Sequence, residues 1–313
     1  VKVLYPDNVA GRPELPSDVT LVDYHPRSPI PSEHHDAEVL VTWACAPEVL
    51  AAAAKELTRL RWVQSLAAGP DGELAAGFAP EVVLTSGRSL HDDTVAEHAL
   101  ALTLAGLRGL RQLIPAQAEH RWRSDLGGVQ IEGADGRVQT LAGANVLIWG
   151  FGSIAGRLAP LLTALGARVT GVAHTAGERH GYPVIADDEL PGALPDTDVL
   201  VMILPNAPDT RHALNAERLA LLPARAWVVN VGRGATVDED ALVAALTRGG
   251  LAGAALDVFA TEPLPAGSPL WESPNVIITP HAAGGRPRGH AVLVAENLAA
   301  LRDGRPLRNQ VPR

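Results

Sequence analysis

The stretch VLIWGFGSIAG, Val146 to Gly156, decides the fold. Its first four residues read as a buried strand. Gly150, Gly152 and Ala155 then fit G-x-G-x-x-G/A at the mouth of a helix-like segment, Ile154 to Leu165. Such glycines allow a tight turn and let the backbone approach a pyrophosphate, which the free N–H groups at the helix start, here Ser153 and Ile154, would favour. The competing reading is a plain strand-to-helix corner, and the strand and helix context favours the dinucleotide.

Working outward, the same alternation continues through RVTGVA (168 to 173), DVLVMIL (198 to 204), AWVVNV (226 to 231), AGAALDVF (252 to 259) and NVIIT (275 to 279), with helix-like segments such as Asp238 to Thr247 between them. Apolar strands separated by amphipathic helices predict a parallel sheet covered on both faces, a doubly wound (Rossmann) domain. The acidic residue that usually takes the ribose hydroxyls at the end of the second strand is missing: RVTGVA ends in Ala173, followed by His174 and Thr175. These two can donate hydrogen bonds and Arg179 can add charge, so a 2′-phosphate is favoured there and NADP over NAD.

The first ninety residues alternate more weakly, through VKVL, VTLVD, EVLVTW, PEVLAAAAKEL, RWVQSL and EVVLTS, and predict a smaller flavodoxin-like α/β domain. Thr94 to Glu97 reads as a capping box opening one Ala/Leu helix through about Leu113, and the glycine-rich segment 124 to 144 reads as a loop. The helix-like sequence after His281 has to pack somewhere else, and its expected place is on the N-terminal domain. The expected division is therefore 1–92 with 285–313, and 93–284 inserted between them.

With 26 basic against 35 acidic residues and a net charge of −9, a phosphate-backbone partner is disfavoured, so no nucleic acid is expected. One cysteine, Cys45, makes no intrachain disulfide, and its place among alanines at a strand end reads as an inert thiol. No run approaches the roughly 20 apolar residues that span a bilayer, and no basic, then apolar leader opens the chain. No membrane partner and a cytoplasmic location are expected. Glu33-His34-His35-Asp36 lacks a metal-site spacing and reads as a solvated turn, so no metal is expected.

Three downstream segments carry a resemblance: VVNVGRGATVDEDAL (228 to 242), AALDVFATEPLP (254 to 265) and NVIITPHAAGG (275 to 285). Their order beside the mid-chain glycine turn resembles the D-isomer-specific 2-hydroxyacid dehydrogenase family. LPNAPDTRHALNAERLALL (204 to 222), WVQSLAAGPDG (62 to 72) and VAEHALALTLAGLRGL (95 to 110) extend the likeness over most of the chain. The resemblance implies an NAD(P)-dependent 2-oxo acid reductase, a homodimer, and Arg233, Glu262 and His281 as the catalytic set. Each makes chemical sense. A histidine, with an ordinary pKa of about 6.5, can give the carbonyl oxygen its proton. Glu262 on its other ring nitrogen would favour the charged form. Arg233 offers a planar fork to a carboxylate.

The resemblance also implies substrate contacts at Leu66, Ala68 and Gly69, through backbone N–H groups opposite Arg233 and His281. It implies cofactor contacts at Leu204, Pro205, Thr210, Val231, Asp257 and Gly284, besides Gly150, Gly152, Ser153, Ile154, His174 and Thr175. Asp257, ending an apolar strand, reads equally as a buried hydrogen-bonding group. Leu66, Trp271 and the loop Arg88 to His91 are candidates to line the side-chain pocket, in a cleft between the domains, and the helix from Thr94 is the candidate dimer contact. Glyoxylate or hydroxypyruvate is the substrate type in view. The competing functions are a dinucleotide-sensing corepressor on the same scaffold and a short 3-phosphoglycerate dehydrogenase, the latter weakened by SLAAGPDG where a more polar loop is usual and by the lack of a C-terminal regulatory extension.

Overall fold

In the computed structural model, which describes residues 1–126 and 139–312, the chain forms two compact units. The first comprises Val1–His91 and Arg286–Arg313, the second Asp92–Gly285. Most of the loop expected over 124 to 144 lies outside the described residues.

In the first unit β1 (Lys2–Pro6), β2 (Thr20–Tyr24), β3 (Val39–Thr42), β4 (Trp62–Ser65) and β5 (Val83–Thr85) make one parallel sheet in the order β2-β1-β3-β4-β5. That is the flavodoxin-like order. Alternate residues of each strand feed two cores: Val3, Val39 and Trp62 lie on one face of the sheet, Leu4, Leu40 and Val63 on the other. The helix His290–Arg302 belongs to this unit because Leu293, Val294 and Leu298 complete the first of those cores. A buried polar network secures it. Asn297 donates to Gln64 Oε1 (2.9 Å) and accepts from the Arg308 N–H (2.7 Å), while Gln64 Oε1 also accepts from Thr85 Oγ1 (2.9 Å). Each buried polar group has its partner, so the network holds the returning helix to β4 without an orphaned dipole.

The second unit holds β6 (Asn145–Trp149), β7 (Arg168–Ala173), β8 (Gly177–Arg179), β9 (Tyr182–Ala186), β10 (Val199–Met202), β11 (Trp227–Asn230), β12 (Gly253–Leu256) and β13 (Val276–Ile278). Their order is β13-β12-β11-β10-β6-β7-β9-β8, parallel except for the β8–β9 hairpin. The order reverses between β6 and β10, the crevice where open α/β sheets bind ligands at their strands' carboxyl ends. Val146 and Ile148 enter one core and Leu147 and Trp149 the other, the period-2 signature of a strand buried on both faces.

Two local expectations need correction. The β8–β9 hairpin at the sheet edge was not expected from GERHGYPVIA, whose glycines at 177 and 181 break the strand pattern. The single helix from Thr94 to Leu113 is two: Asp92–Leu107, then Leu110–Ala118 after Gly109 at φ 64°. Helix formation starts two residues before Thr94, so its hydroxyl does not cap; it donates to Gly284 O (2.9 Å). Val95, Ala96, Ala99 and Leu102 of the first helix are spent on the unit's own core. The exposed apolar side chains come later, at Leu110, Ile114 and Trp122.

Candidate active site

At the carboxyl end of β6 the turn adopts Gly150 at φ 97°, and a Cβ there would lie 2.6 Å from Ile203 O. Glycine is obligatory on both counts. Gly152 differs: its φ is −96°, and a Cβ would meet nothing within 4 Å. No packing demands a glycine at 152, which leaves open space above the uncapped first turn of the 12-residue helix Ser153–Ala164. This is the shape a pyrophosphate requires, and the residues present fit a dinucleotide. Ala155 is fully buried, which lets the helix sit close to the sheet. Ser153 Oγ donates to Asp92 Oδ1 (3.0 Å), a partner the sequence did not announce.

The end of β7 is less simple than the sequence suggested. Ala173 itself offers no acid, but the exit of β9 does: Asp187 Oδ2 lies 2.9 Å from His174 Nδ1, and Asp187 Oδ1 accepts from Trp149 Nε1 (2.8 Å). The reading that no carboxylate stands there is therefore corrected. Asp187 arrives by way of the unexpected hairpin. Arg179, on the same hairpin, donates to Thr175 Oγ1 (2.7 Å).

Loops from three strands pack back to back around Arg233. A Cβ on Gly232 would lie 2.7 Å from Leu204 N, and one on Gly234 only 1.8 Å from Phe259 C. The two glycines thus wedge Arg233 between the exits of β10 and β12. Buried Asn230 finishes the clamp, accepting from the Gly232 N–H (3.1 Å) and donating to Arg233 O (3.1 Å). Leu204 and Val231 are buried beneath this loop. Thr210 Oγ1 donates to Pro205 O (2.7 Å), so its hydroxyl shapes the loop after β10.

His281 follows β13 at φ 52°, a left-handed conformation uncommon for a side chain-bearing residue. Fully buried Asp257 imposes it. Its carbonyl accepts the His281 N–H (2.8 Å), and its carboxylate accepts from Thr279 Oγ1 (2.6 Å), Ala282 N (2.8 Å) and Ala283 N (2.9 Å). His98, from the helix Asp92–Leu107, joins at Thr279 Oγ1 (3.0 Å). What the geometry gives Asp257 is the anchoring of the His281 segment.

Glu262 Oε2 lies 2.7 Å from His281 Nδ1, and Glu262 Oε1 accepts from Phe259 N (2.9 Å). The hydrogen bond to Glu262 raises the His281 pKa above its ordinary value; burial and the Arg233 charge oppose this, and the Glu262 and Asp257 charges support it. For Glu262 burial works to raise the pKa, but the hydrogen bonds from His281 and Phe259, with the charges of His281 and Arg233, hold it below the ordinary value. The hydrogen bond between them favours an imidazolium facing a carboxylate.

In the first unit Leu66 needs correction. Its side chain is fully buried in the core with Val3 and Trp62, so it lines no pocket. Its backbone carries the loop instead: Leu66 O accepts from His91 Nε2 (2.8 Å), and Ala67 N–H is held by Ser65 Oγ (3.2 Å). Ala68, next in line, is exposed and has no backbone hydrogen bond among the described residues. His91 stacks on Trp43, ring centroids 5.3 Å apart. Trp43 was not singled out in the sequence.

Residues 100–283 match the model of the D-isomer specific 2-hydroxyacid dehydrogenase NAD-binding domain. A glyoxylate/hydroxypyruvate reductase A of Escherichia fergusonii is 33% identical over 297 residues, 90% of this chain and 88% of that protein. Among solved structures, a D-isomer specific 2-hydroxyacid dehydrogenase of Xanthobacter autotrophicus in complex with NADPH superposes with a TM-score of 0.80 at 30% identity, covering 99% of this chain and 97% of that one. An NADPH-dependent glyoxylate/hydroxypyruvate reductase of Sinorhizobium meliloti in complex with NADP gives 0.79 at 28%, covering 99% and 97%. The chain belongs to the D-isomer specific 2-hydroxyacid dehydrogenase family. It is an NAD(P)-dependent oxidoreductase that interconverts a 2-oxo acid and its 2-hydroxy acid. Among the described residues no helix is long and apolar enough to cross a membrane, and no cluster of ligating side chains is poised for a metal.

Proposed function

We propose that this protein reduces small 2-oxo acids of the glyoxylate and hydroxypyruvate type with NADPH in preference to NADH, using Arg233, Glu262 and His281. The observation that carries the reading is the 2.7 Å contact between His281 Nδ1 and Glu262 Oε2, which favours the charged form of an acid at a strand end. Bound nicotinamide supplies the hydride. The chain's own residues bind, orient and protonate. Arg233, fixed by its flanking glycines, takes the substrate carboxylate and polarises the 2-oxo group. His281 gives its Nε2 proton to the oxo oxygen as the alkoxide forms, and Glu262 remains ionised throughout.

Gly150, Gly152, Ser153 and Ile154 receive the pyrophosphate; Leu204, Pro205, Thr210, Val231 and Gly284 border the rest of the cofactor, and Asp257 lies at its nicotinamide. Preference for NADPH rests on Arg179, held at Thr175 Oγ1 beside His174, and on Ala173, which places no carboxylate of β7's own last residue at the ribose hydroxyls. Both oxygens of Asp187 are engaged, by Trp149 and His174. The NADP(H)-bound relatives point the same way. The test is kcat/KM for NADPH and NADH with glyoxylate and hydroxypyruvate. Faster NADPH oxidation is expected; a strong NADH preference would sink the cofactor assignment, and no oxidation of either would sink the substrate assignment. A homodimer is part of the proposal, with Leu110, Ile114 and Trp122, 40%, 61% and 89% exposed, as its contact. A monomer by light scattering would contradict it.

A further inference from the structure

Within the first unit lies a cavity of about 330 Å³ that none of Arg233, Glu262 and His281 lines. Three arginines line it: Arg88 from the loop after β5, Arg288 from the segment before the helix His290–Arg302, and Arg308 from the C-terminal tail. Their backbones are fixed. Arg88 O accepts from Asn309 Nδ2 (2.9 Å), the Arg288 N–H donates to Leu90 O (2.9 Å), and the Arg308 N–H donates to Asn297 Oδ1 (2.7 Å) in the buried network around Gln64. Between Arg88 and Leu90 the chain passes through Ser89 at φ 75°, a left-handed conformation that a residue with a side chain seldom adopts. Gly289, also in the lining, opens the 13-residue helix without a side-chain cap, so its first N–H groups add to the positive field. Leu90 and Val292 supply an apolar wall.

Guanidinium groups gathered at one cavity repel one another, and these three are gathered in a chain whose net charge is −9. Glu296 answers one of them: its Oε2 lies 3.2 Å from Arg308 Nη1 in an exposed pair. The side chains of Arg88 and Arg288 have no hydrogen bond or ion pair among the described residues. Two charges are therefore left for a ligand. We infer that this cavity is a binding site for a small phosphate monoester. A phosphate monoester carries close to two negative charges and three acceptor oxygens, which match two arginine forks and the start of a helix. A monocarboxylate, such as a 2-oxo acid, would leave one arginine unanswered. The volume is near the lower end for small-molecule pockets, about 300 to 1,000 Å³, so the ester is short, its carbon chain against Leu90 and Val292.

The test is calorimetric titration of glycerol 3-phosphate into the enzyme saturated with its nicotinamide cofactor, which keeps the glycine turn after β6 occupied. Wild type, Arg88→Gln, Arg288→Gln, Arg288→Lys and Arg305→Gln are compared. Arg88 and Arg288 are exposed, so their replacement leaves the core intact. Saturable binding is expected in the wild type, with Kd raised by about 10-fold in Arg88→Gln and in Arg288→Gln, as for the loss of a charged hydrogen bond. Arg288→Lys, which keeps the charge, should lose less. Arg305→Gln, which removes an arginine of the same unit paired with Asp303, should leave Kd unchanged. No saturable binding, or a Kd unmoved in both glutamine variants, would overturn the inference. Citrate or inorganic sulfate binding as tightly as the ester would overturn the phosphate monoester as its ligand. Displacement of the ester by a 2-oxo acid that the enzyme turns over would assign the arginines to the substrate and overturn it as well.

Discussion

Arg233 and His281 stand in the same unit, at the exits of β11 and β13 with β12 between them, yet they are held by different physics. Arg233 is wedged by backbone: glycines on both sides let the chain pass within contact distance of Leu204 and Phe259, and no other residue fits. His281 is held by hydrogen bonds, from the buried Asp257 carboxylate through Ala282, Ala283 and Thr279, and from Glu262 on the ring. A binding fork gains from a rigid seat, because its task is geometric. A proton donor needs a seat that also sets its charge, and only side chains that carry charge can do that.

The contrast can be broken from either side. The largest effect is expected at the proposed proton donor: His281→Asn should lower kcat by about 10² to 10⁴, with cofactor affinity nearly unchanged. Activity close to wild type would remove His281 from the chemistry. Gly234→Ala comes next. Its Cβ would sit 1.8 Å from Phe259 C, so the loop must move, and a shift of about 1 Å in a positioning loop costs about 10²-fold. A variant that keeps full activity and melting temperature would show that Arg233 is not wedged. Arg233→Lys keeps the charge and loses the fork, so KM for 2-oxo acids should rise by about 10-fold or more, as expected for a charged hydrogen bond worth about 1.5–3 kcal/mol. An unchanged KM would place the carboxylate elsewhere.

How much of this was legible follows from the same contrast. The G-x-G-x-x-A turn announced itself in sequence, as did the strands, whose apolar runs are long enough to mark both buried faces; the wedge at Arg233 did not, because the close approach of Gly232 and Gly234 to Leu204 and Phe259 is a tertiary contact. Arg233, Glu262 and His281 were singled out through ordered motifs, and the structure brings Glu262 and His281 to 2.7 Å. Among the supports of His281, Glu262 was read on its ring and Asp257 was weighed as a buried hydrogen-bonding group, but the contact of His98 with Thr279 was not foreseen. His98 meets Thr279 across 181 positions, and nothing in VAEHAL signals that partner. Asp187 was missed because it comes to the end of β7 through a hairpin rich in glycine and poor in strand formers, so the strand end looked free of acid. Leu66 was misplaced because motif position reports the loop, while β4 turns that side chain into the core. The helix break at Gly109 was hidden by an Ala/Leu run that continues across it.

The His281–Glu262 pair also links pH to stability. Folding raises the His281 pKa, so its contribution is full below about 6.5 and is lost as pH rises through the raised value; Glu262, lowered, keeps its share until pH falls below the ordinary carboxylate range. The central claim, that Glu262 keeps His281 charged so that it can protonate the substrate, is tested most directly by kcat/KM for reduction against pH in the wild type and in Glu262→Gln. The wild-type profile should fall above the ordinary histidine value as the raised His281 deprotonates, and the falling limb should move to lower pH in Glu262→Gln, where the hydrogen bond to a carboxylate is gone. Limbs that coincide in the two proteins would contradict the account.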